Sequence, residues 1–152
     1  GVNGIGRHAA LAVVNGRPAI ACYSFAENAL VYIRAEDETG ESWKDAIFLD
    51  DTPDVGQFAS LAAIDGRPAV AYYNATDENV RYIEAEDPNG ESWGEPETVD
   101  SPGRVGRFVS LVNINDEPGL AYYDETNRDL KFATLRGLAS VHHWNLYSER
   151  AK

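Results

Sequence analysis

The chain has one cysteine, Cys22, and no methionine. One cysteine excludes an intrachain disulfide framework, so the fold rests on its core. The absence of methionine fits a chain that was processed or trimmed, or a piece of a longer one. Positive charge is scarce. Lys and Arg number 13 against 25 Asp and Glu, a net charge of −12. A nucleic-acid partner needs a basic footprint and an anionic membrane needs basic clusters, so neither partner is expected. No apolar run approaches membrane-spanning length. No stretch reads as a signal peptide, and none is long or periodic enough to read as a helix. The compartment stays open: the acidic balance suits a soluble protein, a secreted one included. Apolar residues are not lacking. They make up 43% of the 152 residues, enough for a sizeable core.

What the chain has in abundance is repetition. "GRPAIACYSF" (16–25), "GRPAVAYYNA" (66–75) and "DEPGLAYYDE" (116–125) stand fifty residues apart. Gly6/Gly56/Gly106, Leu11/Leu61/Leu111, Pro18/Pro68/Pro118 and Tyr23/Tyr73/Tyr123 align without a gap. Between the first two units the match continues through Tyr32/Tyr82, Trp43/Trp93 and Asp50/Asp100. A fixed period of this length is the signature of a repeat architecture.

Each unit predicts four strands. In the second, strand a covers 58–64 and ends at Asp65-Gly66, a hairpin signal. Strand b covers 68–74, a polar turn 75–79, strand c 80–86 and strand d 92–99. Phe58 and Ile64 fall on one face of strand a, and Ala59, Leu61 and Ala63 on the other. A sheet apolar on both faces needs neighbours on both. The fold class is therefore all-β: a single domain over 1–152 of three four-stranded propeller-type blades, at about 6–55, 56–105 and 106–150. A β-sandwich would not need a gapless repeat, and solenoid coils are usually shorter. The third unit departs after Ala133. Its residues 141–149 are expected to form the last strand, with Trp144 in the slot of Trp43 and Trp93.

Three blades do not close a ring, because propellers typically have four to eight. Two copies would close six blades by a two-fold rotation, so the expected partner is a second copy of the chain. A fragment of a longer propeller is the other possibility.

The stretch "SLAAIDGRPAVAYYNATDENVRYIEAEDPNGESW" resembles repeats of bacterial sialidase-like, BNR-type β-propeller proteins. "DETGESW" and "DPNGESW" are similar to their Asp-box hairpin, Ser-x-Asp-x-Gly-x-Thr-Trp, at Gly40/Ser42/Trp43 and Gly90/Ser92/Trp93. Asp37 and Asp87 fall one residue early. The resemblance covers nearly the whole chain and implies the fold; the Asp-box itself implies a structural turn. Sialidase activity would require an arginine triad, a Tyr/Glu nucleophile pair and an acid Asp. The family's Arg-Ile-Pro motif is absent, so the activity is not carried over. In strategy, though not in motif, the chain also resembles small fucose-binding lectins that assemble propellers from short chains.

If strand a runs downwards, the d–a and b–c loops share the top face. Candidate ligand-binding residues there are Asp54 and Arg104, just before strand a, and Arg7, Gln57 and Arg107 at its start. Ser24, Asn74 and Asp124 close strand b. Arg and Asp facing a hollow could bind a sugar or a carboxylate; as surface ion pairs and turn caps they would have no ligand. The mid-strand tyrosines and the tryptophans read as packing between blades. Cys22 reads as a small core residue, and His8 as core or axial. No metal and no cofactor are expected. Asp37 and Asp87 lack the ligand count for Ca²⁺, and His142-His143 would face opposite ways on a strand. The leading function is a non-enzymatic binding or interaction module for a glycan or a protein. The alternative is a sialidase-like glycoside hydrolase or a fragment of one.

Overall fold

The computed structural model describes residues 4–138 and 141–149. Twelve strands form three four-stranded antiparallel sheets, one per repeat, and no helix occurs among the described residues. The first sheet is β1 (Ile5–Val14), β2 (Arg17–Ser24), β3 (Ala29–Arg34) and β4 (Ile47–Asp50). The second is β5 (Val55–Ile64), β6 (Arg67–Asn74), β7 (Asn79–Glu84) and β8 (Glu97–Asp100). The third is β9 (Val105–Ile114), β10 (Glu117–Asp124), β11 (Asp129–Leu138) and β12 (Val141–Glu149). Each strand pairs with the one before it in its sheet, so every unit is a plain meander.

The a–b hairpins are built as the dipeptides require. Asn15-Gly16, Asp65-Gly66 and Asn115-Asp116 hold positive φ at both positions. That backbone matches the right-handed twist of the flanking strands.

The cores lie between sheets. Val14, Leu30 and Tyr32 of the first sheet pack with Leu61, Val70 and Tyr72 of the second. Ile64, Val80 and Tyr82 of the second pack with Leu111, Leu120 and Tyr122 of the third. Leu61 and Ile64 thus face opposite neighbours, as strand alternation demands. The first strands β1, β5 and β9 run side by side. Gly56 and Gly106 make this approach possible. A Cβ on Gly56 would lie 2.7 Å from Leu30 Cα, and one on Gly106 2.5 Å from Val80 Cβ. Both also hold positive φ, a second reason for glycine.

A polar clasp crosses each junction. Asp50 Oδ2 accepts hydrogen bonds from the Tyr72 hydroxyl at 2.6 Å and from Arg81 Nη1 at 3.0 Å. Asp100 Oδ2 accepts from the Tyr122 hydroxyl at 2.9 Å and Lys131 Nζ at 2.7 Å. Burial and the neighbouring carboxylate push both tyrosine hydroxyls far above their ordinary range. In the first unit Cys22 and Val31 stand in place of the tyrosine and the cation, both buried.

Three strands of the second unit differ by more than one residue from those expected. Strand c of the second unit ends at Glu84, and strand d is Glu97–Asp100 rather than 92–99. The Ser92 N–H is taken by Asp87 Oδ2, and Pro96 has no N–H to give. Trp93 therefore makes only an isolated bridge to Ala85. Strand a starts at Val55, before residue 58, because it runs through a bulge. The third unit closes as expected. Trp144 pairs with Leu135, where Trp43 and Trp93 bridge Ala35 and Ala85. Its ring stands 5.3 Å from that of Tyr82, as Trp93 stands 5.0 Å from Tyr32.

The c–d loops of the first two units are closed by one carboxylate each. Asp37 accepts the N–H groups of Thr39, Gly40, Glu41 and Ser42. Asp87 accepts those of Asn89, Glu91 and Ser92. The indoles of Trp43 and Trp93 donate to the Gly40 and Gly90 carbonyls at 2.8 Å.

Candidate functional site

The start of strand a carries an irregularity repeated three times. Arg7 pairs with Tyr23 and Ala10 with Ala21, so two residues, His8 and Ala9, oppose Cys22 alone. The same bulge recurs between Gln57 and Ser60 and between Arg107 and Ser110. Its first residue is His8, Phe58 or Phe108, and each holds φ between 53° and 56°. A bulky side chain in the left-handed region is a backbone outlier.

The bulge turns these three side chains out of the sheets and into line. Ring centroids of His8 and Phe58 are 4.5 Å apart, and those of Phe58 and Phe108 are 4.7 Å apart. The tilts are 52° and 56°, favourable aromatic geometry. Tyr23 and Tyr73 stand edge-on behind His8 and Phe58. Phe108 is 68% exposed, His8 is exposed and Phe58 half-buried. His8 is therefore not a core residue, and Phe58 does not share the buried face of Ile64. Burial, and then the charge of Arg7, lower the His8 pKa below its ordinary value.

Five of the sequence-derived candidates flank this ladder. The Arg7 guanidinium lies over the Phe25 ring at 5.0 Å. Gln57 donates to Asp54 Oδ1 at 3.0 Å. The Tyr23 hydroxyl lies 2.8 Å from both Asp54 Oδ1 and Asn28 Oδ1. Burial, with the Asp54 carboxylate second, pushes the Tyr23 hydroxyl up to about 12. Arg107 sits 5.8 Å from the Tyr73 ring centroid and 3.2 Å from Glu125. Arg104 pairs with Glu78 at 2.8 Å, at the same end of the sheets.

Ser24, Asn74 and Asp124 are fully buried and hold the b–c turns. Ser24 accepts the Glu27 N–H, Asn74 those of Thr76 and Asp77, and Asp124 that of Asn127. Lys131 reaches Asp124 at 3.5 Å. These three side chains fix the turns behind the exposed surface.

No family model matches the chain, and no curated protein matches its sequence. The site is thus read from its own chemistry. Among the described residues no group of three or more His, Cys, Asp or Glu is placed to hold a metal ion. The side chains of His142 and His143 lie outside what the structure describes. The exposed surface offers aromatic faces, the arginines Arg7, Arg104 and Arg107, the Gln57 amide and the carboxylates of Asp54, Glu78 and Glu125.

The ladder residues were missed as a site in the sequence. The available signal was the alignment of His8, Phe58 and Phe108, an aromatic ring at one position of every repeat. A strand read as plain alternation sends Phe58 inward. Only the bulge reverses it.

Proposed function

We propose that this chain is a non-enzymatic binding module, made of three blades of a β-propeller, which takes a glycan over its aromatic ladder. The propeller reading is supported by face-to-face packing of three four-stranded meanders with their first strands side by side. The kinship with sialidase-like, BNR-type repeats is supported by the carboxylate-closed turns that hold Trp43 and Trp93.

The observation that carries the binding reading is the row of three aromatic rings on strained backbone, at one repeat position, with His8 and Phe108 exposed at its ends. Strain of this kind persists where the exposed arrangement is used. A sugar ring presents C–H groups to an aromatic face and hydroxyls to its rim. Arg7, Gln57, Arg107 and Asp54 supply donors and an acceptor at that rim. A glycoside hydrolase would instead need two carboxyl groups about 5–9.5 Å apart across a pocket. Asp54 is already engaged by Gln57 and Tyr23, which favours binding over catalysis.

The test is a glycan array probed with the wild-type chain and with Phe108→Ala. Binding to a defined set of sugars, lost in the variant while its circular dichroism is unchanged, is expected. Binding that survives Phe108→Ala removes the ladder from the site. Binding to a protein with no glycan retained would replace the ligand class, and turnover of aryl glycosides would replace the function.

A further inference from the structure

We infer that a second copy of this chain covers both outer faces, unit three of one copy on unit one of the other, and so completes the aromatic ladder. The inference rests on reading the sheets as blades.

The two described junctions define what a junction requires, and the outer faces carry the same parts unpaired. The donor face of unit two is Ile64, Val80 and Tyr82, all buried against unit three. Its equivalents on unit three are Ile114, Leu130 and Phe132. Leu130 is 65% exposed and Ile114 is exposed. The receiving face of unit two is Val55, Leu61 and Val70, buried against unit one. Its equivalents on unit one are Ile5, Leu11 and Ile20, and Leu11 is 71% exposed. Each face is therefore the repeat counterpart of the face that fits the other.

Four details agree with this register. Gly56 and Gly106 are pressed against Leu30 and Val80, but a Cβ on Gly6 would meet nothing within 4 Å. Gly6 keeps the same positive φ with the space for Leu130 of a second copy left open. Trp93 and Trp144 each pack on a tyrosine of the preceding unit. Trp43 is 37% exposed, and Phe132 is the ring a second copy would bring. The N–H groups of Val55 and Val105 donate to the carbonyls of Asn28 and Glu78. Ile5 and Arg128 stand at the matching positions, and Arg128 has the same positive φ as Asn28 and Glu78. Finally, the ladder is open at both ends, at His8 and at Phe108. A second copy would place His8 beside Phe108 twice, giving six rings around one axis.

The occupant is a second copy rather than an unrelated chain because all these positions belong to one repeat register. Two copies of these three units make six blades, within the four to eight that propellers adopt; three copies would make nine. An unclosed head-to-tail contact would grow into a filament instead.

Light scattering on the wild-type chain decides the stoichiometry. Twice the chain mass of 16.7 kDa is expected. A folded monomer, or a mass that keeps growing with concentration, overturns the inference. Two further variants test the polarity. Leu11→Asp and Leu130→Lys should each lose the dimer, and an equimolar mixture should regain it, since the mixed ring carries one untouched junction and one Asp–Lys junction. A Leu130→Lys chain that stays fully dimeric alone, or a mixture that stays monomeric, overturns the head-to-tail pairing. If neither variant folds, the wild-type mass still decides. Failure here leaves the glycan test intact: a dimer that binds no sugar and a monomer that binds one are separate outcomes.

Discussion

His8, Phe58 and Phe108 each keep a backbone conformation that costs an L-residue about 1–2 kcal/mol. Ring contacts to one another and to the tyrosines behind them offset part of that cost. Residue-scale chemistry is equally plain in the carboxylates. Hydrogen bonds from the Thr39 side chain and from backbone N–H groups hold the Asp37 carboxyl well below its ordinary 3.8. Burial raises Asp87, but the N–H groups of Ser92, Asn89 and Glu91 outweigh it, so its value is lowered as well. A carboxyl lowered in the folded state stabilises fully above the unfolded value and loses that contribution as pH falls through the folded one. Urea midpoints should therefore hold from pH 7 to about pH 5 and then drop below about pH 4. A chain with both Asp37→Asn and Asp87→Asn should be less stable at pH 7 and show a smaller drop. An equal drop in both chains would show that these turns do not carry the acid sensitivity. The hairpin glycines and the indole slots were legible in sequence, because a dipeptide or a spacing names them. The left-handed aromatic residues were not, since no short-range signal asks for a bulky residue at positive φ.

At the scale of the element, strands a and b were legible from alternation and turn chemistry. Their junctions were not. Asp50 and Tyr72 lie in different repeats, 22 residues apart, and each has an unremarkable local context. Only the stacking of one sheet on the next brings them to 2.6 Å. Likewise, strand d was drawn too long because nothing local shows that Asp87 captures the Ser92 N–H. The clasp has a measurable consequence. Tyr72→Phe removes a buried hydrogen bond to a charged acceptor, worth about 1.5–3 kcal/mol, and leaves Arg81 as the remaining charged donor to Asp50 Oδ2. Urea unfolding should show a loss of that size, and Tyr122→Phe a similar one. No loss at either position would mean that the hydroxyls merely fill space. The first unit has no such pair: Cys22 and Val31 stand at the matching positions and bring no charged group to them.

Over the whole molecule, that difference decides how an assembled ring should respond to salt and dilution. The two junctions within a chain carry buried carboxylate–cation pairs, and the inferred junction between copies receives Cys22 and Val31 instead. Attraction there is apolar, about 25 cal/mol per Å² buried, and salt does not screen it. What salt does screen is repulsion. Each chain carries −12, so two copies bring like charge together. Raising ionic strength shortens the screening length from about 10 Å at 0.1 M to about 3 Å at 1 M. The dimer should therefore hold or tighten between those salt concentrations. Its Tm should rise with protein concentration, because association stabilises the folded state by mass action. Thermal scans over a hundredfold concentration range, each at low and high salt, check both signs. A Tm independent of concentration, while light scattering shows a dimer, would mean that association adds nothing to folding stability. A dimer that falls apart in 1 M salt would place ion pairs, rather than Leu11 and Leu130, at the contact.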